Sequence, residues 1–104
     1  MNSLKPPKRL SPEAKKLWRS ITEEFEVSDS AGLLLLENAL SAFDEMRAGQ
    51  AILATDGPII TDRFGAKKQH PVTLVIRDAR NLLLRSLKAL NLDISPDSPL
   101  KGGS

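Results

Sequence analysis

Apolar residues recur at helical spacing in three stretches of the chain, and this pattern predicts three helices. Ser11, Pro12 and Glu13 supply an N-cap, a proline at the first helical position and an early acid, so the first helix begins there and extends to about Glu26. Its apolar positions form one narrow stripe, which predicts a single buried side with both aromatic residues in the core. The stripe consists of Ala14, Leu17, Trp18, Ile21 and Phe25.

The second stretch, from about Ser30 to Thr55, is a long run of good helix formers that follows the capping oxygen of Asp29. Its apolar positions cover about half of the helix circumference, which predicts packing on two sides. We expect Gly49 to bend or break this helix and the segment Asp56-Gly57-Pro58 to end it.

Between Gly57 and Pro71, strand character at residues 59–61 and a turn at Phe64-Gly65 predict an extended loop or a short two-stranded hairpin. Pro71 suits the start of a third helix with one apolar stripe, and Asn91 suits the left-handed position that closes it. The predicted fold is therefore all-α: an N-terminal helix plus a long antiparallel helical hairpin, joined by an extended loop or short β-hairpin.

The two ends of the chain differ in composition from its middle. Residues 1–10 combine prolines with repeated positive charge and are predicted to form a flexible basic arm. Residues 95–104 are rich in Pro, Gly and Ser and are predicted to form a flexible tail. The middle, residues 11–94, is long enough for a single helical domain.

The length of the second helix predicts self-association. A helix of this length spans roughly 39 Å, more than a compact globule of about 100 residues allows, so one end protrudes. The third helix also carries Leu74 and Leu84 away from its main stripe, which would leave apolar surface uncovered in a monomer. We therefore expect a homo-oligomer, with an interface formed by Leu35, Leu36, Leu40, Phe43, Met46, Leu74 and Leu84.

The residue inventory argues against catalysis. The 104-residue chain has no cysteine, no glycine-rich phosphate loop and one histidine, His70, which is interpreted as a loop or helix-entry residue. The acids Glu23, Glu24 and Glu26 are too closely spaced to share one helix face and are interpreted as solvated. We predict a non-enzymatic protein without cofactor or metal, and the absence of a long apolar run predicts no membrane partner and a cytoplasmic location.

The charges are arranged in blocks of opposite sign. Six bases and one acid occupy residues 1–20, nine acids and one base occupy residues 21–62, and seven bases and one acid occupy residues 63–92. Such blocks indicate surfaces that bind a polyanion or that pair between subunits.

Two basic groups are candidates for contact with DNA. The first, called the arm–helix group, comprises Lys5, Lys8, Arg9, Lys15, Lys16 and Arg19. It is interpreted either as a DNA-binding surface or as a merely solvated surface. Its helical bases lie near the helix N-terminus, where the helix dipole disfavours them, and a phosphate docked at that N-terminus would remove the conflict. The second, called the hairpin group, comprises Arg63, Lys67 and Lys68 and could contact nucleic acid or the acidic second helix of a neighbouring subunit.

Several fragments, in their order and spacing, resemble the small subunit of a tailed-phage terminase over most of residues 8 to 96. They are Lys8 to Ala14 with Leu17-Trp18, Asp29 before the long helix, Gly57 after it, Asp62 to Gly65, His70-Pro71, Arg77 to Arg80, Leu87 to Leu92, and Ser95-Pro96. Asn91 occupies a place that is often glycine in this family.

The resemblance implies a non-enzymatic subunit that recognises double-stranded viral DNA, assembles as a ring and delivers the genome to a large subunit carrying ATPase and nuclease. In such proteins the C-terminal segment can engage the large subunit, although this chain's tail is short. The alternatives are a small dimeric DNA-binding transcription regulator, for which the acidic second helix is a poor recognition helix, and a helical structural adaptor without a DNA role.

Overall fold

A computed structural model describes residues 5–92, which form three helices and one two-stranded antiparallel hairpin. The elements follow in the order α1 (Pro12–Glu24), α2 (Ser30–Asp56), β1 (Ile59–Thr61), β2 (Lys67–Gln69) and α3 (Val72–Ala89). The mostly helical prediction is confirmed, and the segment between α2 and α3 takes the hairpin form rather than the extended loop. The predicted tail, residues 95–104, lies outside the described residues.

The ends of α1 and α2 are fixed by side chains close in sequence. The Ser11 hydroxyl accepts a hydrogen bond from the Ala14 N–H at 3.0 Å, and the Asp29 carboxylate accepts one from the Gly32 N–H at 2.9 Å. These bonds satisfy backbone donors that the first turn of a helix leaves without partners. Both helix starts therefore lie where the sequence predicts them.

The long helix α2 is continuous through Gly49, so the predicted break at this residue is wrong. Gly49 is buried, and a Cβ atom placed on it would lie 2.7 Å from Ile76 Cγ1 and 3.3 Å from Val72 Cγ2. Its lack of a side chain therefore lets α3 approach α2 closely, which a pattern within α2 alone does not reveal. The 27 residues of α2 extend about 40 Å, and the described residues measure 57 × 32 × 22 Å, which confirms the expected elongation.

The hairpin and α3 follow α2 along the chain. In the hairpin Ile59 pairs with Gln69, Ile60 with Lys68 and Thr61 with Lys67. After α3, Asn91 adopts the left-handed conformation with φ 61°, as the sequence predicts.

The main core lies where α1 packs on the N-terminal half of α2 and on the end of α3. Trp18 is buried there, and Phe25 is partly buried against the same cluster, so both aromatic residues lie in the core as predicted. The fully buried side chains Leu36 and Leu40 belong to this cluster as well. Leu10 is also buried in it, so the folded unit includes the end of the segment predicted to be a flexible arm.

Within the described residues, no helix has the length and apolar character that crossing a membrane requires.

Candidate nucleic-acid interface

The arm–helix group divides into free bases and engaged ones. Lys16 and Arg19 are exposed and lie three residues apart on α1, on the side opposite the buried positions Ala14, Trp18 and Ile21. Lys5 and Lys8 are also exposed, whereas Lys15 is half-buried at the edge of the packed side. The outer face of α1 thus presents two cations, with two more on the segment that precedes it.

Arg9 differs from the other bases because it is bound within the chain. Its Nε atom lies 3.0 Å from Glu37 Oε2, and its Nη1 donates to the Ser41 hydroxyl at 2.7 Å. Both partners lie on α2, so Arg9 attaches the start of the chain to the long helix. Its side chain is about half exposed, but its two hydrogen bonds to α2 fix the position of its guanidinium group.

The N-terminus of α1 holds a carboxylate of the chain itself rather than an open anion site. Asp44 of α2 accepts hydrogen bonds from the Ser11 N–H at 2.8 Å and from the Ser11 hydroxyl at 2.5 Å. Glu13 lies in the first turn and its carboxylate is 3.5 Å from Arg47. These two acids already complement the helix dipole, so the structure does not favour the predicted phosphate position at this N-terminus.

The hairpin group is exposed on a small, well-defined ribbon. Lys67 and Lys68 are consecutive residues of β2, so their side chains leave opposite faces of the ribbon. Arg63 lies in the turn, with its guanidinium carbon 5.0 Å from the centre of the Phe64 ring. The three cations therefore surround the tip of the hairpin.

His70 fixes the base of the hairpin to the helices. Its Nδ1 accepts a hydrogen bond from the Val72 N–H at 3.0 Å, so the ring proton lies on Nε2, which is 2.9 Å from Asp56 Oδ2. Its backbone N–H donates to the Pro58 carbonyl at 2.8 Å. His70 thus joins the end of α2, the hairpin and the start of α3, and its interpretation as a helix-entry residue is confirmed.

Most acids of α2 are engaged within the chain. Glu37 pairs with Arg9, Asp44 binds Ser11 and Asp56 binds His70. Of the four acids of this helix, only Glu45 has no such partner within residues 5–92. Only Glu37 is paired with a formal positive charge, because Ser11 is uncharged and Asp56 lies at the single ring N–H of His70, so α2 keeps much of its negative charge.

The two basic groups do not form one cluster. The start of α1 is fixed at the level of Asp44 and Arg47 on α2, whereas the hairpin begins after Asp56. The nine residues from Arg47 to Asp56 correspond to about 14 Å along the helix axis. The structure thus carries two basic surfaces at different levels of the same long helix.

The residues predicted for the oligomer interface have different burial. Leu36 and Leu40 are covered inside one chain, Leu35, Phe43 and Met46 are half-buried, and Leu74 and Leu84 are about half exposed. The first two therefore contribute to the chain's own core, and of the predicted positions Leu74 and Leu84 of α3 offer the most exposed apolar surface.

Six exposed apolar residues were not selected from the sequence as site residues: Leu34, Ile52, Ile59, Phe64, Val75 and Leu82. Val75 and Leu82 belong to the main apolar stripe of α3, and only the packed structure shows that this edge of the stripe is left open. The sequence could have indicated that Phe64 is exposed, because it is a large aromatic residue between a base and a glycine in a predicted turn.

Among residues 5–92, no cluster of His, Asp or Glu has the arrangement of a metal site.

These features define a class: a small, elongated helical protein with one basic surface at α1 and a second on a β-hairpin. The family model described as "Phage terminase, small subunit" matches residues 14–103. The chain belongs to this family, and the resemblance predicted from its sequence is confirmed. Searches of curated proteins and of solved structures gave no match.

Proposed function

We propose that this terminase small subunit binds double-stranded viral DNA through its two basic surfaces, assembles as a homo-oligomeric ring and presents the genome to the large subunit. The observation that carries the DNA role is a set of exposed cations that have no acid partner. The exposed cations of α1 and of the hairpin lie without acid partners in the described contacts, while three of the four acids of α2 are bound within the chain. Such a surface suits a phosphate backbone, which binds by releasing counterions.

The density of negative charge favours DNA over a neighbouring subunit as the partner of the hairpin group. Pairing of Arg63, Lys67 and Lys68 with a neighbour's α2 would need exposed carboxylates on that helix. Glu45 and Asp56 are the exposed candidates there, and each exposed pair contributes at most about 1 kcal/mol. A duplex instead offers about one phosphate per 1.7 Å of its axis, enough for all three cations.

Removing two cations from α1 should change how DNA binding depends on salt. The double variant Lys16→Ala/Arg19→Ala is expected to bind a duplex more weakly and to flatten the plot of log K against log salt concentration by about two units. Fluorescence anisotropy between about 50 and 200 mM salt measures this slope. We expect the related variant Lys15→Ala/Lys16→Ala to flatten it less, since Lys15 is half-buried.

The matched control is Arg85→Ala/Lys88→Ala, which removes the same charge from two exposed positions three residues apart on α3. This control should leave most of the slope intact. Equal slopes for both double variants would show that only net charge matters, and an unchanged slope after loss of Lys16 and Arg19 would contradict the proposed α1 surface.

Assembly is proposed to use the exposed apolar side of α3. Val75 and Leu82 are seven residues apart, which places them on one side of the helix, and both are more than a third exposed. Leu74 adds apolar surface about a quarter turn away, whereas Leu84 lies near the opposite side of α3. A helix with this much uncovered apolar area gains free energy when a second copy covers it.

A charge placed on this side of α3 should break the assembly. Leu82→Glu is expected to shift the protein from a ring of many copies to smaller species, because an unpaired carboxylate is costly to bury in an apolar contact. Native mass spectrometry at several concentrations gives the distribution of masses. The control Ser20→Glu adds the same charge at an exposed position of α1, away from the proposed contact, and should leave the ring intact.

A wild-type protein that stays monomeric at every concentration would contradict the ring. A stable dimer would instead favour the transcription regulator considered above. In the proposed role the chain performs no chemistry itself and needs no cofactor, and it acts in the cytoplasm of the infected bacterium, where the large subunit supplies ATP hydrolysis and DNA cleavage.

A further inference from the structure

Phe64 is the most exposed large apolar side chain of the described residues, with 82% of its surface accessible. It lies at the tip of the hairpin, between β1 and β2, and projects from the end of the α2–α3 pair. A phenyl ring held in water at an extremity of the molecule makes no contribution to the core. Its position suits a contact with another molecule.

The tip that carries Phe64 is held in one conformation. Asp62 Oδ1 accepts hydrogen bonds from the Phe64 N–H at 2.8 Å and from the Ala66 N–H at 2.9 Å. The Gly65 N–H donates to the Asp62 carbonyl at 3.0 Å, and Gly65 adopts a left-handed φ of 83° that favours glycine. Because His70 also fixes the base of the hairpin, Phe64 is presented on a preorganised support.

The surroundings of the ring are cationic. Arg63 lies over Phe64 at 5.0 Å, and Lys67 and Lys68 follow on β2. The only acid of this tip, Asp62, is already occupied by two backbone N–H groups. An apolar ring surrounded by three cations fits a partner that combines negative charge with flat apolar surfaces, and duplex DNA provides both in its phosphates and its stacked bases.

We propose that Phe64 is a wedge that inserts between adjacent base pairs of duplex DNA and kinks it, while Arg63, Lys67 and Lys68 contact the flanking phosphates. This inference rests on the proposed DNA-binding function and adds to it a deformation of the duplex. Inserted apolar side chains partly unstack a base step and bend DNA by roughly 20 to 90°. The deformation favours flexible steps such as TA, so the hairpin selects sites by their deformability rather than by base-edge hydrogen bonds.

The test uses the full-length protein and a duplex of about 30 bp with a central TA step, labelled at both ends for energy transfer. Wild-type protein is expected to shorten the end-to-end distance, and Phe64→Ala to abolish this shortening and weaken binding by roughly 10-fold, the scale of losing one base–aromatic contact. Phe64→Leu keeps an apolar wedge and should retain part of the bend. Ile59→Ala, which removes another exposed apolar side chain of the same hairpin, is the control and should bend DNA as wild type does.

The outcomes separate the wedge from the wider function. If wild type binds the duplex without bending it, or if Phe64→Ala bends it equally, the wedge is overturned and DNA binding stands. Phe64→Ala could instead lower the oligomer mass in the absence of DNA. The phenyl side chain would then contact a second copy of the chain, and the wedge is again overturned. If wild type does not bind duplex DNA at all, both the wedge and the proposed function fail.

Discussion

Replacing Leu36 with alanine is expected to lower the free energy of unfolding by about 3 kcal/mol. Leu36 has no exposed surface and lies in the cluster in which α1, α2 and the end of α3 meet. Truncation to alanine removes buried apolar contacts and leaves a cavity that helices on several sides cannot easily fill. For a domain of this size, whose total stability is on the order of 5–15 kcal/mol, the loss is a large fraction.

The matched control is Leu34→Ala, the same substitution two residues earlier on the same helix. Leu34 is 60% exposed, so its truncation should change stability by less than about 0.5 kcal/mol. Urea denaturation followed by circular dichroism at one fixed protomer concentration measures both variants, since oligomer stability depends on concentration. If Leu36→Ala altered the oligomer mass and not the unfolding free energy, Leu36 would belong to the subunit interface, as its sequence pattern first suggested.

Replacing Gly49 with leucine is expected to cost roughly 3 kcal/mol through overpacking, although leucine is the better helix former by about 1 kcal/mol. Even a Cβ atom at this position would lie 2.7 Å from Ile76 Cγ1, which is closer than real side chains approach one another. The helices α2 and α3 would have to separate to accept the larger residue. Thermal or urea unfolding compares this variant with Ala48→Leu, an exposed neighbour where we expect little change.

A double-mutant cycle tests the physical cause at Gly49. Gly49→Ala should destabilise the protein when Ile76 is present, and it should become neutral or stabilising in an Ile76→Ala background, where the conflicting atom is absent. Equal effects of Gly49→Ala in both backgrounds would show that the close approach to Ile76 is not what this glycine permits.

The candidate interface was only partly predictable from the sequence. The exposed bases Lys16, Arg19 and the hairpin group were identified because charge and helical spacing are local properties. The involvement of Arg9 with Glu37, 28 residues away, and of Ser11 with Asp44, 33 residues away, was not predictable, because each depends on how α1 lies against α2. These contacts place acids of the chain itself at the helix N-terminus, where the sequence had suggested a phosphate.

The amino-acid sequence by itself determined the local features of this protein. Helix starts at Ser11 and Asp29 and the left-handed Asn91 follow from capping oxygens, prolines and apolar spacing within a few residues, whereas the structure decided between a loop and a hairpin after α2. The tertiary structure alone decided which charges stay free, which apolar positions stay open and why Gly49 is needed. The physical reason is that pairing of a charge, burial of an apolar side chain and steric contact all depend on residues of other elements. Only packing brings these residues together, and the sequence pattern of one helix does not show which residues will contact it.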